Sequence, residues 1–169
     1  MVIFIPTFNN WNSLVKYIES NIVISLEKIG EEIKSVLRHE LLTTWYQTYT
    51  PQYYERTNML IDSITVSKAK KVLGGYEVEI YFDESKILPM PSDKGMFPAH
   101  MNITDGANMY GGMSYGELLP LWIEKGQRSK IHSYTGVHMV ERTVNWVKED
   151  NYLKTRMIEI LQNKGFLCV

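Results

Sequence analysis

The chain has 169 residues, of which 44% are hydrophobic and 22% are charged, and its formal net charge at pH 7 is -1. Such a chain can bury a core without disulfides or metals, so we predict a single domain spanning residues 1–169. The near-neutral charge argues against broad electrostatic capture of nucleic acid, which requires a clear excess of lysine and arginine on one face, and leaves a local basic patch open.

The two chain ends carry further compositional limits. Cys168 is the only cysteine, so an intrachain disulfide is excluded and a reducing compartment is indicated. The opening Met1–Ile5 is apolar, but Pro6 follows it and the run is too short for a signal sequence or a membrane span. We expect a short N-terminal strand or arm and no membrane association.

A long amphipathic helix is predicted over residues 12–47. Its apolar residues recur at steps of three to five, at Leu14, Ile18, Ile22, Leu26, Ile29, Ile33, Val36/Leu37, Leu41 and Trp45. Asn12 or Ser13 can cap its start, and Pro51 ends it. A helix of this length spans roughly 50 Å. It therefore either overhangs the domain, leaving an apolar stripe for a partner chain, or breaks near Gly30.

A β-hairpin is predicted after this helix. The first strand covers Met59–Lys68 and the second covers Gly75–Asp83, because apolar and polar residues alternate in both segments. The intervening Lys68–Lys71 and Gly74-Gly75 are typical of a turn. This hairpin would present one buried face and one wetter face.

The segment Glu84–Gly116 has no periodic pattern and is rich in proline, glycine and methionine. A stretch this long without secondary structure is usually a binding loop or a disordered insertion. Its large apolar residues favour a segment that packs against something, because methionine adapts to irregular surfaces.

The C-terminal part, residues 117–165, is predicted to be helical. A short helix ends at Lys125 before Gly126, with Pro120 near its start. A final helix covers Val137–Asn163, with a possible break at Glu149-Asp150-Asn151. Its inward residues are predicted to be Val140, Val144, Val147, Leu153, Met157, Ile160 and Leu161. Phe166, Leu167 and Val169 could add an edge strand.

These elements together predict an α+β fold. A small antiparallel sheet packs against the long N-terminal helix and the C-terminal helix. Residues 57–116 contain this sheet and the long loop rich in Met, Gly and Pro that follows it.

No arrangement of residues predicts catalysis. The histidines His39, His100, His132 and His138 lack the spacing of a helical zinc site. A nucleophile motif and a phosphate-binding loop with its lysine are missing from the sequence as well. We therefore expect no enzymatic activity, no metal and no cofactor. The basic clusters Lys68/Lys70/Lys71 and Lys125/Arg128/Lys130 are typical of solubilising surface, unless a ring multiplies them around a channel.

Aromatic residues cluster around the end of the long helix, at Trp45, Tyr49, Tyr53 and Tyr54. They either cover the apolar face of the hairpin or contact another chain. Arg56 could approach the last carbonyls of the helix, where a cation is favoured, or pair with Asp62 or Glu124.

Three segments carry a resemblance to a known family. The first is the pattern Tyr-x-Pro-x-x-Tyr-x-Arg-Thr-x-x-Leu-x-x-Ser-Ile at Tyr49–Ile64, which follows Leu-Leu-x-x-Trp-Tyr. The second is Leu121-Trp-Ile-Glu-Lys-Gly126, and the third is Glu141-Arg-Thr143. Over roughly residues 30 to 165 the chain resembles the head–tail joining proteins of long-tailed bacteriophages, also called neck, tail-completion or minor tail proteins, including the lambda Z-type group.

The resemblance implies a non-enzymatic structural protein of the virion, made in the host cytoplasm, that assembles as a ring at the head–tail junction. Its implied partners are head-completion or connector proteins and tail-tube or tail-terminator proteins, while DNA passes through the lumen without specific readout. The residues expected at its interfaces are Trp45, Tyr49, Tyr53, Tyr54, Arg56, Met96, Phe97, Met101, Met109, Met113, Trp122 and Glu124. The alternatives are a small phage-encoded inhibitor or adaptor that binds one host protein, and a hydrolase of unrecognised type.

Overall fold

A computed structural model describes residues 6–48, 58–87, 115–128, 133–149 and 151–168. These residues confirm the predicted α+β class. In chain order the elements are α1 (Trp11–Leu41), a π-helical turn (Leu42–Tyr46), α2 (Met59–Ser63), β1 (Ile64–Val66), β2 (Lys70–Val72), β3 (Gly75–Glu77), β4 (Ile80–Phe82), a 3₁₀ turn (Glu84–Lys86), α3 (Tyr115–Lys125), β5 (Gly126–Arg128), β6 (Ser133–Thr135), α4 (Met139–Glu149) and α5 (Tyr152–Asn163). The strands form three pairs, β1 with β4, β2 with β3 and β5 with β6.

The chain divides into two compact units. The first unit takes in Met1–Ile33, Val66–Glu79 and Val144–Val169, and the second takes in Lys34–Thr65 and Ile80–Thr143. The single domain of residues 1–169 stays a prediction beside this division. None of the helices in the described ranges has the length and the hydrophobicity that crossing a membrane requires.

Helix α1 is continuous for 31 residues and does not break at Gly30. The helix starts one residue earlier than predicted, and its cap is neither Asn12 nor Ser13: the side chain of Asn10 accepts a hydrogen bond of 2.9 Å from the backbone N–H of Ser13. Gly30 is buried, and the side chain of Val66 packs closely against it. A Cβ at this position would lie 2.8 Å from a methyl carbon of Val66. The glycine signals close packing against a strand residue and not a helix break.

The C-terminal end of α1 widens into the π-helical turn, which ends at Tyr46, close to the predicted helix end at residue 47. The hydroxyl of Thr43 donates a hydrogen bond of 2.9 Å to the carbonyl of His39, and the hydroxyl of Thr44 donates to the carbonyl of Glu40. Threonine hydroxyls bound to the preceding turn in this way compete with the regular backbone ladder.

The prediction of a strand over Met59–Lys68 is wrong in its first half, because Met59–Ser63 forms helix α2. Leu60, Ile61 and Ile64 are all buried, at 3%, 4% and 2% exposure. Burial at positions i, i+1 and i+4 fits a helical turn that opens into a strand, whereas a strand alternates its faces. Only Ile64–Val66 is extended.

The predicted hairpin is also wrong in its pairing. Residues Lys70–Val72, assigned to a turn, form β2 and pair with β3 in the register Lys70↔Glu77, Lys71↔Tyr76 and Val72↔Gly75. The two-residue turn between them contains Gly74, whose φ of +92° is readily accessible to glycine. The predicted second strand is therefore split into β3 and β4, and β4 pairs with β1.

The second unit has a continuous apolar core. Helix α2 packs on β4 and on the 3₁₀ turn, and α3 packs on the same two elements. The core consists of buried side chains from every one of these helices and from α1 and α4: Leu37, Leu41, Leu60, Ile61, Ile64, Ile87, Ile123 and Met139. Leu41 and Met139 are fully buried.

The first unit has a smaller and more polar interior. Side chains of α5 and of the residue after it bond to α1 at Glu32 and Asn21. Ile29 and Ile160 are buried in this unit, and so are the polar Asn21 and Ser25. The ring of Tyr17 lies between Phe8, at 5.1 Å, and Phe166, at 5.6 Å. The predicted edge strand is not formed over its described part, Phe166–Cys168.

The predicted final helix is two helices, because Asn151 separates α4 from α5 with a left-handed φ of 50°. This confirms the possible break at Glu149-Asp150-Asn151. The predicted inward face is wrong at Val140, Val144 and Leu153, which are 39%, 42% and 46% exposed.

Helix α4 instead buries Met139 and Thr143, one turn apart. Met139 is fully buried in the core of the second unit. The hydroxyl of the buried Thr143 donates a hydrogen bond of 2.8 Å to the carbonyl of Met139 and is thereby satisfied.

Candidate functional site

The segments that carry the family resemblance converge in the second unit. Leu60 and Ile64 from the first segment are buried in the same core as Ile123 from the second. Ser63, fully buried, donates a hydrogen bond of 2.7 Å to the carbonyl of Leu60. These residues therefore serve packing, and their polar groups are satisfied locally.

Glu124 caps helix α4 across 16 residues of chain. Its carboxylate accepts hydrogen bonds from the backbone N–H groups of Val140, at 2.9 Å, and Glu141, at 3.1 Å. These N–H groups belong to the first turn of α4 and have no partner within the helix. A carboxylate at a helix N-terminus is also favoured by the helix dipole. Two of the resembling segments are thus joined through one side chain.

The backbone around this cap is held tightly. Val137 donates to the carbonyl of Ile123 at 2.9 Å, and His138 donates to the carbonyl of Glu124 at 3.1 Å. A Cβ on Gly136 would lie 2.2 Å from the Glu124 carbonyl oxygen and 2.4 Å from the Lys125 carbonyl carbon. We call Glu124, Gly136 and the first turn of α4 the α3–α4 junction. Only glycine fits its closest approach.

The junction continues into strand pairing and an ion pair. Gly126 has a φ of +81° and pairs with Thr135 in the antiparallel β5–β6 ribbon. Arg142 on α4 lies 3.6 Å from the carboxylate of Glu40 near the end of α1. Both contacts lie inside the second unit and fix the start of α4 in place.

Three of the residues expected at an interface can be placed. Trp45, on the π-helical turn, is half-buried and packs against the core of the second unit. Trp122 lies on α3, half-buried, two residues before Glu124. Glu124 acts within the chain as the helix cap. The others lie outside the described residues and stay predictions: Tyr49, Tyr53, Tyr54, Arg56, Met96, Phe97, Met101, Met109 and Met113.

The two suggested partners of Arg56 are engaged by other groups. Asp62 lies 3.4 Å from the guanidinium of Arg38, which also donates 3.0 Å to the carbonyl of Ile61. Glu124 is bound to the amides of α4. The pairing of Arg56, which lies outside the described residues, stays a prediction.

A polar network fixes α5 on α1 in the first unit. The guanidinium of Arg156 grips the carboxylate of Glu32 with two hydrogen bonds of 2.8 and 2.7 Å, and the hydroxyl of Tyr152 donates to the same carboxylate at 2.7 Å. The bonds from Arg156, opposed by partial burial, lower the pKa of Glu32 to about 2. Burial, followed by the bond to Glu32, raises the pKa of Tyr152 to about 12. Bidentate pairs of this kind give geometric specificity as well as energy.

The lysines of the cluster around β2 are each paired with a glutamate. Lys68 lies 3.2 Å from Glu27, and Lys70 lies 2.9 Å from Glu79. Lys71 lies 2.8 Å from Glu19, and that hydrogen bond lowers the pKa of the Glu19 carboxyl. This neutralisation weakens the cluster as an electrostatic footprint for nucleic acid.

The histidines form no metal centre in the part of the chain that the structure describes, where no three His, Cys, Asp or Glu side chains are grouped as ligands. His39 is exposed on α1, and Nδ1 of His138 lies 3.1 Å from the carboxylate of Glu141. His100 and His132 lie outside the described residues.

Sequence reasoning missed the cap by Glu124 and the close approach at Gly136. The Glu-x-Gly step marked Glu124 as noteworthy, but its partners are backbone N–H groups 16 and 17 positions away, and no spacing rule connects such a pair. Gly136 lies just before the predicted final helix Val137–Asn163, where a glycine carries no specific signal.

The fold and the α3–α4 junction define the class of protein. It is an α+β protein in which the segments that carry the family resemblance contribute to one apolar core. The chain belongs to the YomN family, whose model matches residues 10–163. The family takes its name from a gene of the Bacillus phage SPBc2, which indicates a phage-derived protein. No curated protein and no solved structure is similar enough to the chain to give a match.

Proposed function

We propose that the chain is a non-enzymatic structural protein of the phage particle at the head–tail junction, of the neck or tail-completion type. It assembles as a ring around the DNA conduit, between connector or head-completion proteins and tail-tube or tail-terminator proteins. DNA crosses its lumen without being read.

The observation that carries this proposal is the bond between Glu124 and the amide of Glu141. The Glu-x-Gly step and the Glu-Arg-Thr segment lie apart in sequence, and the resemblance to head–tail joining proteins drew on both. Their direct contact supports the view that they are parts of one structural element. A phage family with a match over residues 10–163 supports the same conclusion.

Exposed apolar side chains add support. Trp11 at the start of α1 is 75% exposed, and Leu73 at the tip of the β2–β3 turn is fully exposed. Large apolar groups left in water are a feature of surfaces that become covered on assembly, although single ones are also common on monomers. Paired lysines around β2 fit a conduit that does not hold DNA strongly.

The decisive experiment deletes the gene in a phage that encodes the chain and examines the lysate by electron microscopy. We expect DNA-filled heads and finished tails that remain unjoined, and we expect a plasmid copy of the wild-type gene to restore joined particles. A plasmid copy carrying Gly136→Ala, which disrupts the α3–α4 junction, should restore fewer. Joined, infectious particles in the deletion lysate would refute the proposal.

The same lysate tests the alternative of an inhibitor or adaptor for one host protein. That role predicts normal particles from the deletion phage and no copy of the chain in purified virions, measured by mass spectrometry. The head–tail role predicts a fixed number of copies in every particle. The two outcomes exclude each other.

A further inference from the structure

Helix α4 carries an apolar stripe that is partly exposed in the part of the chain that the structure describes. Val140, Val144 and Val147 recur at positions i, i+4 and i+7 and so lie on one side of the helix. Val140 is 39% exposed and Val144 is 42% exposed, while Val147 is half-buried. The helix buries a different side, with Met139 and Thr143. The stripe therefore has the pattern of a buried face, and the described residues cover it only in part.

The spacing of this stripe is that of a helix–helix seam. Steps of four and three residues place side chains along the line where two helices pack against each other. On one flank of the seam lie Glu141 and Lys148, seven residues apart and hence almost directly above one another. Both are exposed, and the acidic residue is near the N-terminal end while the basic residue is near the C-terminal end.

This arrangement of charge selects one kind of partner. If two copies of α4 pack antiparallel across a two-fold axis, Glu141 of each copy faces Lys148 of the other. A parallel pair would place like charges on the same level. The stripe and its flank are therefore self-complementary in the antiparallel arrangement only.

We propose that the Val140–Val144–Val147 face of α4 is a docking surface for the same face of a second copy, packed antiparallel. The contact is weak by itself, because two 11-residue helices bury far less than the roughly 1,200 Å² of a stable complex. It becomes populated when copies are brought close together, since a high local concentration favours weak contacts.

This contact is separate from the proposed ring. A two-fold contact uses the same patch on both copies, whereas the contacts of a cyclic ring join two different patches. The pairing therefore does not rest on the head–tail role, and a failure of either proposal leaves the other standing.

The test follows association of the full chain by analytical ultracentrifugation from about 10 µM to about 1 mM. The wild type should show a concentration-dependent monomer–dimer equilibrium. Glu141→Lys gives two basic flank positions, and Lys148→Glu gives two acidic ones, so each variant alone should associate at least about tenfold more weakly. Mixed in equal amounts they should form a heterodimer, because each then faces the opposite charge.

Two further variants distinguish association through the α4 stripe from non-specific association through exposed apolar side chains. Val144→Ser should weaken association, while Val72→Ser, which changes a valine of similar exposure on β2, should leave it unchanged. Circular dichroism confirms that each variant stays folded. A chain that remains monomeric at the highest concentration overturns the proposal. Charge variants that associate as strongly alone as in the mixture overturn it as well.

Discussion

The interiors of the two units, each taken by itself, are stabilised by different kinds of contact. The second unit has a contiguous apolar core in which Leu41 and Met139 are fully buried. In the first unit the buried Ile29 and Ile160 are accompanied by the buried polar Asn21 and Ser25, and the Glu32–Arg156 pair joins α1 to α5. Apolar burial supplies most folding energy, whereas a bidentate ion pair supplies register. Stability should therefore be concentrated in the second unit and helix alignment in the first.

The largest effect is expected from Leu41→Ala in the second unit. Removing a side chain with no exposed surface leaves a cavity among Leu37, Leu60 and Ile64, and such changes lower the free energy of unfolding by about 3 kcal/mol. Urea unfolding followed by circular dichroism measures the loss. Leu42→Ala is the matched control, because Leu42 is the next residue and is 39% exposed. Equal losses in both variants would contradict the assigned core.

Gly136→Ala should be the next most damaging change. The added methyl would meet backbone atoms of Glu124 and Lys125 that cannot turn aside, and overpacking of this kind lowers the free energy of unfolding by about 2 kcal/mol. Gly30→Ala is the comparison in the first unit. Its obstacles are methyl groups of Val66 and Val78, and the alanine gains about 1 kcal/mol of helix propensity, so its net change should be small. A larger loss at Gly30 would reverse the ranking.

Glu32→Gln tests the polar register of the first unit. The pKa of Glu32 is lowered from 4.5 to about 2, so its contribution to stability is fully present above pH 4.5 and is lost as the pH falls towards 2. At pH 7 the variant should have a free energy of unfolding lower by about 1–2 kcal/mol after allowance for solvent screening. The difference from wild type should shrink between pH 5 and pH 2. Glu77→Gln, an exposed carboxylate on β3, should show no such convergence.

The smallest effect is expected from Glu124→Gln at the α3–α4 junction. The amide keeps one acceptor oxygen but loses the charge that favours a helix N-terminus, at a cost of about 1 kcal/mol. Thermal unfolding should show the loss, and hydrogen exchange should show it first at the amides of Val140 and Glu141. Glu149→Gln, at the opposite end of α4, should not destabilise the chain. An unchanged exchange rate at both amides would rule out the cap.

Sequence patterns predicted the elements that local rules determine. The period of α1 placed the helix within a few residues of its observed span, and Asn151 was found within the suggested break. The family segments pointed to Glu124 and Ser63. Patterns failed where packing between distant segments decides the local conformation. At Met59–Ser63 the alternation of apolar and polar residues predicted a strand, but the segment is helical.

Gly30 and Val144 show why the remainder could not be predicted. A glycine inside a helix signals weakness unless a strand approaches it, and only the fold brings Val66 there. The valines of α4 have the period of a buried face, and periodicity identifies such a face without saying which chain covers it. The interface residues outside the described ranges stay predictions.

The cap supplied by Glu124 has a consequence for the order of folding. His138, at the start of α4, has a left-handed φ of 51°, and the hydrogen bonds to the first-turn amides come from a side chain synthesised 16 residues earlier. We therefore expect the start of α4 to become fixed only after α3 has formed and the β5–β6 ribbon has closed. The start of α4 is therefore determined by a tertiary contact with α3 as well as by the local sequence.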